Sequence, residues 1–279
     1  MKNCEKRSWR IRILFLIGFL LCVIPLLSSV IEKQRQAEAV ATYQEAAEKE
    51  TASLENVYQK AEEYNDMLYQ SGGAAVDGLR EDLLSEESYQ TQLALSETGI
   101  MGSLEIPKIN VNLPIYHGTE EEALANGVGH LEGSSLPIGG KNTHCVLSGH
   151  RGLPSSKLLV RLDEIEEGDY LFVRTGDRTL AYKVDRIQVV EPDDVSSLNI
   201  RADEDLLSIV TCTPYGLNTH RLIVTGNRVE YQEAEYQAIE EAVPSGRELI
   251  LTCTPFVCLA IAIGLYIKER RRKYEDGKI

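Results

Sequence analysis

Two stretches of the chain, Ile13 to Ile31 and Leu249 to Ile267, carry no charged residue. Each comes close to the ~20 apolar residues that cross a bilayer as a helix, so both are predicted membrane spans. The first run exceeds the ~7–15-residue apolar core of a secretory signal, and "SSVIEKQRQ" at its end offers no small-x-small cleavage site. That pattern favours a retained anchor.

Between the spans the periodicity changes twice. From Gln34 to Gln70 there is no Gly or Pro, and Val40, Tyr43, Ala47, Leu54, Val57, Ala61, Tyr64 and Leu68 recur at mostly three- and four-residue steps. This predicts an amphipathic helix or helical pair, packed as a stalk on the domain that follows. "SGGAAVDG" (Ser71 to Gly78) breaks it, and "LREDLLSEESYQTQLALSE" reads as a further short helical stretch.

Beyond Thr98 the segments shorten and become β-branched. Strands are predicted at Gly102–Pro107, Val111–Tyr116, Thr143–Ser148, Tyr170–Arg174, Thr179–Val190, Leu206–Cys212 and Arg221–Val229, separated by turn-rich segments such as "RTGDRT". Seven such strands imply an antiparallel-rich sandwich or barrel. One long connection interrupts them, in which Thr119 is placed to cap a helical turn over Glu120 to Ala125 before a Gly-rich loop.

Charge orients this pattern. Basic clusters, "MKNCEKRSWRIR" and "KERRRK", flank the outer ends of the two spans, whereas the segment between them is acidic, and the net charge is −14. The positive-inside rule then puts both termini in the cytoplasm. The expected organisation is a basic cytoplasmic N-terminus over 1–12, a transmembrane helix over 13–31, an extracellular helical stalk over 32–100, a β-domain over 101–232, a linker over 233–248, a second transmembrane helix over 249–267 and a basic cytoplasmic tail over 268–279. No basic, aromatic-interleaved stripe exists for nucleic acid, and no CxxC or HExxH pattern for a metal. Neither partner is expected, nor any cofactor.

Topology also sorts the cysteines. "TCTP" occurs twice, but Cys253 falls within the second apolar run, where it serves as a small hydrophobe. Only Cys145 and Cys212 lie in the outer segment. A disulfide between them is one reading. The other is chemical: Cys212 ends the apolar strand "LLSIV" before a Pro- and Gly-containing turn, and Arg221 opens the next strand, so a hairpin returns a guanidinium toward the thiol. A cysteine protease-like reaction needs a thiolate, a proton donor for the leaving amine and donors for the oxyanion. His150, at the end of "THCVLSG", is also at a strand end, about 16–20 Å along that strand from Cys145 and His144 at ~3.3 Å per residue. If His150 meets Cys212, Cys145 does not reach it, and the two readings exclude one another. His220 points away from Arg221's face, and His117 and His130 lie in or beside turns.

At these residues the chain resembles a family. "LSIVTCTPYGLNTHRLIVTGNRV" is similar to the active-site strand and following Arg strand of sortases, and "LEIPKINVNLPIYHGT" with "GVGHLEGSSLPIGGKNTHCVLSGHRGLP" resembles the class C, pilus-assembling branch. The resemblance implies a closed eight-stranded sortase-type β-barrel, with an N-terminal helical region and a transmembrane helix at each end. It further implies cleavage of a Leu-Pro-x-Thr-Gly-like sorting signal between Thr and Gly. Cys212 would be the nucleophile, His150 the acid/base and Arg221 the substrate and oxyanion partner. The acyl group would pass to a lysine amine of another pilin subunit on a Gram-positive surface. The implied partners are pilin or surface-protein substrates, the lysine acceptor and the bilayer.

Two departures stand out. Ser208 and Ile209 replace the usual Thr and Leu of the strand motif. In the segment 79–88, aligned with the class C lid, Asp82 is kept, but Leu83 and Leu84 replace a proline and an aromatic. The expected cover is looser, with Asp82 paired to Arg221. A housekeeping sortase attaching proteins to peptidoglycan, a thiol hydrolase, or a membrane-tethered binding module without catalysis are the alternative functions.

Overall fold

The computed structural model describes residues 2–49, 54–72, 89–95, 98–152, 158–239 and 246–275. They fall into two compact units, Met1–Ile31 with Val243–Ile279, and Glu32–Ala242. In the first unit, the opening part of α1 (Lys2–Lys49) and α5 (Gly246–Glu275) are helical. Both helices contain stretches long and apolar enough to cross a membrane, Ile13–Lys49 and Thr252–Arg272. Within this unit the rings of Phe19 and Phe256 meet edge to face, with centroids 6.3 Å apart.

The second unit is built on a closed barrel. Its strands are β1 (Ile100–Ile106), β2 (Val111–His117), β3 (Val128–His130), β4 (Thr143–Ser148), β5 (Tyr170–Thr175), β6 (Arg178–Val190), β7 (Asp205–Thr213) and β8 (His220–Val229), with short helices α3 (Glu121–Asn126) and α4 (Glu233–Ala238) between or after them. Their order around the barrel is β1-β2-β3-β4-β7-β8-β6-β5. The expected eight-stranded barrel is therefore observed. Most neighbours are antiparallel, but β2 with β3 and β4 with β7 run parallel.

Alternation along the strands divides the barrel into an inner and an outer face. Leu207 and Ile209 of β7 and Leu222 and Val224 of β8 point into the main core with Leu104, Leu147 and Val173. Their neighbours Val210 and Ile223 face outward, where they pack with Val146 under Leu198. Each large aliphatic side chain buried this way contributes roughly 1.5–3 kcal/mol. Cys145 belongs to the inner set and is 3% exposed.

The strand β3 has no counterpart among the sequence-predicted strands. It is three residues long, too short for a period, and its central Gly129 would put a Cβ 2.2 Å from the carbonyl oxygen of Gly118. Glycine permits that close approach of β3 to the end of β2. The helical turn predicted over Glu120–Ala125 is observed one residue later, as α3. Its N-cap is Glu120, without a side-chain cap hydrogen bond, so Thr119 does not cap it. The cap position has shifted past the threonine, which precedes the first helical turn by two residues.

The amphipathic region resolves into the end of α1 and α2 (Leu54–Gln70), as the pair alternative anticipated. Of the predicted apolar positions, Val40, Tyr43, Ala47, Leu54, Ala61, Tyr64 and Leu68 are buried, and Val57 is partly so. These helices are fastened to the barrel by polar tips as well as apolar area. The Tyr43 hydroxyl donates to Met101 O at 2.9 Å and accepts from Gly176 N. Tyr58 donates to Asp177 at 2.6 Å and accepts from its amide. Asn65 Oδ1 accepts from Leu136 N at 2.7 Å. Burial raises the Tyr43 hydroxyl to about 12, so it stays a neutral donor.

Candidate functional site

The site lies where β4, β7 and β8 end side by side. Pairing between β7 and β8 sets Cys212 directly opposite Arg221 and Thr213 opposite His220. Cys212 shares the outward parity of Val210, and Arg221 that of Ile223, so thiol and guanidinium stand on the same outer face. Both residues are half-buried. Arg221 Nη1 donates to the carbonyl oxygens of His220 and Asn218, at 3.3 and 3.4 Å, which turn its head back over its own strand end.

His150 arrives from β4. The parallel β4–β7 ladder pairs Ser148 with Val210, and Gly149 N donates to Val210 O at 3.0 Å. Thr211 Oγ1 donates to Gly149 O at 2.8 Å. The turn holding His150 therefore runs beside the strand end holding Cys212. His150 keeps 29% of its side chain exposed, and its Nε2 lies 3.7 Å from Glu121 Oε2. Three residues singled out from sequence, His150, Cys212 and Arg221, are thus gathered at one end of three adjacent strands.

Cys145 is elsewhere. It pairs with Leu207 on β7, inside the barrel, and both it and Cys212 are free thiols. Burial pushes the Cys145 thiol well up, to the protonated side. The disulfide alternative is not what the fold adopts.

The remaining histidines have other partners. His144 is buried on the outer face; Nδ1–H donates to Asn199 O at 3.0 Å, and the Ser208 hydroxyl donates to Nε2 at 2.8 Å. Thr225 donates in turn to Ser208 Oγ. Ser208, the departure from the usual motif, is thus the middle of a satisfied polar chain. Burial lowers His144 to about 4. His130 is buried between Tyr89 Oη, 2.8 Å from Nδ1, and Ser135 O, 2.9 Å from Nε2, and burial lowers it to about 4 as well. His117 faces Gly99 O and Gln92 O. The exposed His220 meets Thr219.

Asp82, Leu83 and Leu84, with the whole lid-like segment 79–88, lie outside the described residues. Conversely, sequence reading passed over Arg151. Its side chain is 9% exposed and reaches Asp163 Oδ2 at 2.7 Å and Thr213 Oγ1, beside the candidate nucleophile. The available signal was an arginine adjoining the candidate acid/base, next to a glycine turn. Among the described residues no group of His, Cys, Asp and Glu could hold a metal ion.

A sortase domain profile matches residues 104–229. Sortase D of Bacillus subtilis is 37% identical over 137 residues, 48% of this chain and 66% of that protein, so the match stops just short of two thirds of its length. The crystal structure of sortase C1 from Streptococcus agalactiae superimposes with a TM-score of 0.65 and 45% identity, covering 70% of this chain and 100% of that one. Streptococcus pneumoniae sortase C, whose structure was described in terms of catalysis and pilin substrate specificity, gives a TM-score of 0.61 at 36% identity, over 70% of this chain and 97% of that one.

Proposed function

We propose a transpeptidase mechanism on one premise: this chain belongs to the sortase family. The reading is a membrane-anchored cysteine transpeptidase that cleaves an LPxTG-like sorting signal between Thr and Gly and joins it to a lysine amine of another pilin subunit. The observation that carries it is the cross-strand register of Cys212 with Arg221, with the His150 turn hydrogen-bonded alongside.

The chemistry follows from the roles these groups can fill. With its proton passed to His150, the Cys212 thiolate attacks the Thr carbonyl carbon. The guanidinium of Arg221, permanently charged and on the same face, stabilises the negative oxygen that forms. His150 returns the proton to the Gly nitrogen as the C–N bond breaks, leaving a thioester on Cys212. A neutral lysine amine then attacks the thioester, His150 takes the proton it sheds, and Cys212 leaves as thiolate.

Pilin as substrate is supported by the likeness to class C sortases, which extends over the whole of the sortase C1 chain and so includes more than the barrel. Anchoring is supported by the two apolar helices; both termini cytoplasmic and the barrel outside follow from the flanking charges. The reading of Asp82, Leu83 and Leu84 as a loose cover rests on the sequence alone.

The test is direct. The full chain, in detergent, is incubated with a Leu-Pro-x-Thr-Gly peptide, and Cys212 is examined by mass spectrometry for an acyl adduct. An adduct that moves to an added lysine-bearing peptide is the expected result. Release only as a free Thr carboxylate, whatever acceptor is supplied, would make the protein a hydrolase, and an unmodified Cys212 across a panel of sorting peptides would remove the transpeptidase reading.

A further inference from the structure

We infer that Arg151 is a positioning residue for the Cys212–His150 pair, acting through Thr213. The inference rests on the transpeptidase reading for its consequence, but on hydrogen bonds for its substance. Three bonds join the segment 149–151 to the segment 210–213: Gly149 N to Val210 O, Thr211 Oγ1 to Gly149 O, and Arg151 Nη1 to Thr213 Oγ1. His150 and Cys212 are the residues these bonds pass over. Each is flanked on both sides by a residue tied to the other strand, so neither strand end can slide or splay without breaking a tie.

The two ties differ in kind. The backbone bond from Gly149 N to Val210 O continues the parallel ladder of β4 and β7 by one step, and buried Thr211, 2% exposed, reinforces it with its hydroxyl on Gly149 O. Past that point the ladder ends: Cys212 and Thr213 pair onward with β8 only. Beyond it a side chain makes the connection, and Arg151 is long enough to do so. Its second Nη is held by Asp163 at 2.7 Å, in the short turn Leu162–Glu164. The guanidinium plane is thereby fixed by one partner while it holds another.

This explains why arginine serves here. A planar fork presents donors on separate edges to two partners at once; a lysine ammonium is one point on a flexible stem. It also gives the second threonine of "TCT" a task. Its hydroxyl accepts from Arg151, so Thr213 restrains the residue on the far side of the thiol as Thr211 restrains the near side. A positional error of about 1 Å at a reacting pair lowers turnover by up to roughly 100-fold. Loss of this tie therefore reads out in the chemical step, not in peptide binding.

Thr213→Val and Thr213→Ser test this with charge and volume nearly conserved, and leave Arg151 with Asp163. In the full chain, Thr213→Val is expected to lower kcat for acylation by about tenfold or more with KM within about twofold, and Thr213→Ser to restore kcat to within about threefold. A second readout needs no sorting peptide: the pH profile of iodoacetamide alkylation at Cys212, measured by mass spectrometry. Thr213→Val should move that profile toward the one given by His150→Gln, and Thr213→Ser should keep the wild-type profile. Arg151→Lys should fall between wild type and Thr213→Val.

Acylation by the wild type with Thr213→Val equally fast, or wild-type alkylation profiles in all variants, would overturn the inference. So would equal losses in Thr213→Val and Thr213→Ser accompanied by a common fall in melting temperature, which would mark a structural role only. If no wild-type adduct forms but the alkylation profiles separate as described, the sorting-signal reading fails and the positioning role stands.

Discussion

Cys212 and Arg221 face each other across the β7–β8 ladder, one at the end of its strand and the other near the start of the next. Both project from the outer face, and Arg221 is held by carbonyls of its own turn. The guanidinium is thus tied to the strand end, and its charge is not spent on a carboxylate contact among the described residues. Arg221→Ala is expected to lower kcat/KM for peptide acylation by roughly 100-fold or more, the range for removal of one oxyanion donor. Arg221→Lys should recover only part of it, because a lysine lacks the planar pair of donors. Equal activity of Arg221→Lys and wild type would reduce the role to charge alone.

A second prediction concerns the seam between α2 and the β5–β6 turn. The Tyr58 hydroxyl bonds Asp177 Oδ1, Thr175 O and the amide of Asp177, and its ring lies 3.7 Å beneath the Arg178 guanidinium carbon. At Gly176 a Cβ would stand 2.1 Å from that hydroxyl, on a residue whose φ is +58°. Gly176→Ala should therefore displace Tyr58 as well as strain the turn. Tyr58→Phe removes the bonds but not the ring, and should cost about 1–3 kcal/mol. Chemical denaturation of both variants measures this; an unchanged midpoint for Gly176→Ala would mean that the helix is not seated there.

The third prediction is a pH window. His130 and His144 are both lowered from 6.5 to about 4, burial being the leading cause in each, so the folded state holds them neutral while the unfolded chain protonates them. The folded pKa lies below the unfolded one. The stability this confers is complete above about pH 6.5 and is lost as pH falls toward 4. Each site contributes up to about 3 kcal/mol across that window. Asp205, raised chiefly by burial, acts in the opposite sense at lower pH, since its folded form takes up a proton more readily than the unfolded one. Urea midpoints at pH 7, 5.5 and 4.5 should fall steeply, and His144→Asn should flatten the fall. Midpoints independent of pH over this range would contradict the burial argument.

Much of this site is legible in the sequence. The alternation that predicts β7 and β8 also predicts their hairpin, because only eight residues separate Cys212 from Arg221 and the turn residues lie among them. Local contacts of this kind leave a periodic signature. The β4–β7 pairing does not: its partners are about 60 residues apart and parallel, and nothing in either strand names the other. Hence His150 could be proposed as a partner of Cys212 from chemistry, whereas Arg151, which acts only through that pairing, went unnoticed. Strand β3 escaped for a different reason. Its place is set by glycines that allow close backbone approach, and three residues carry no period.

Cys145 provides a control on the proposed nucleophile, Cys212. It lies inside the barrel, 3% exposed, with its thiol driven toward the protonated form by burial. Cys145→Ala should cost stability on the order of 1 kcal/mol through a small cavity while leaving the acyl adduct on Cys212 intact. Cys212→Ala should abolish the adduct at little structural cost. An adduct that persists in Cys212→Ala would reassign the chemistry.

The last prediction asks whether His150 has a carboxylate partner in the manner of a Ser-His-Asp triad. Glu121 is the candidate by distance, 3.7 Å from Nε2, but its side chain is 82% exposed. Water screens such a pair to about 1 kcal/mol or less, and a carboxylate on a short surface helix does not fix an imidazole as a buried one does. The histidine is oriented from the other side instead, by the backbone that Gly149 and Arg151 tie to β7. Glu121→Gln should therefore lower kcat for acylation by no more than about fivefold. The Thr213→Val variant, which touches neither charge, should lose more. A loss of several hundredfold in Glu121→Gln would make the carboxylate a working member of the site and would shift the orienting role from the strand ties to α3.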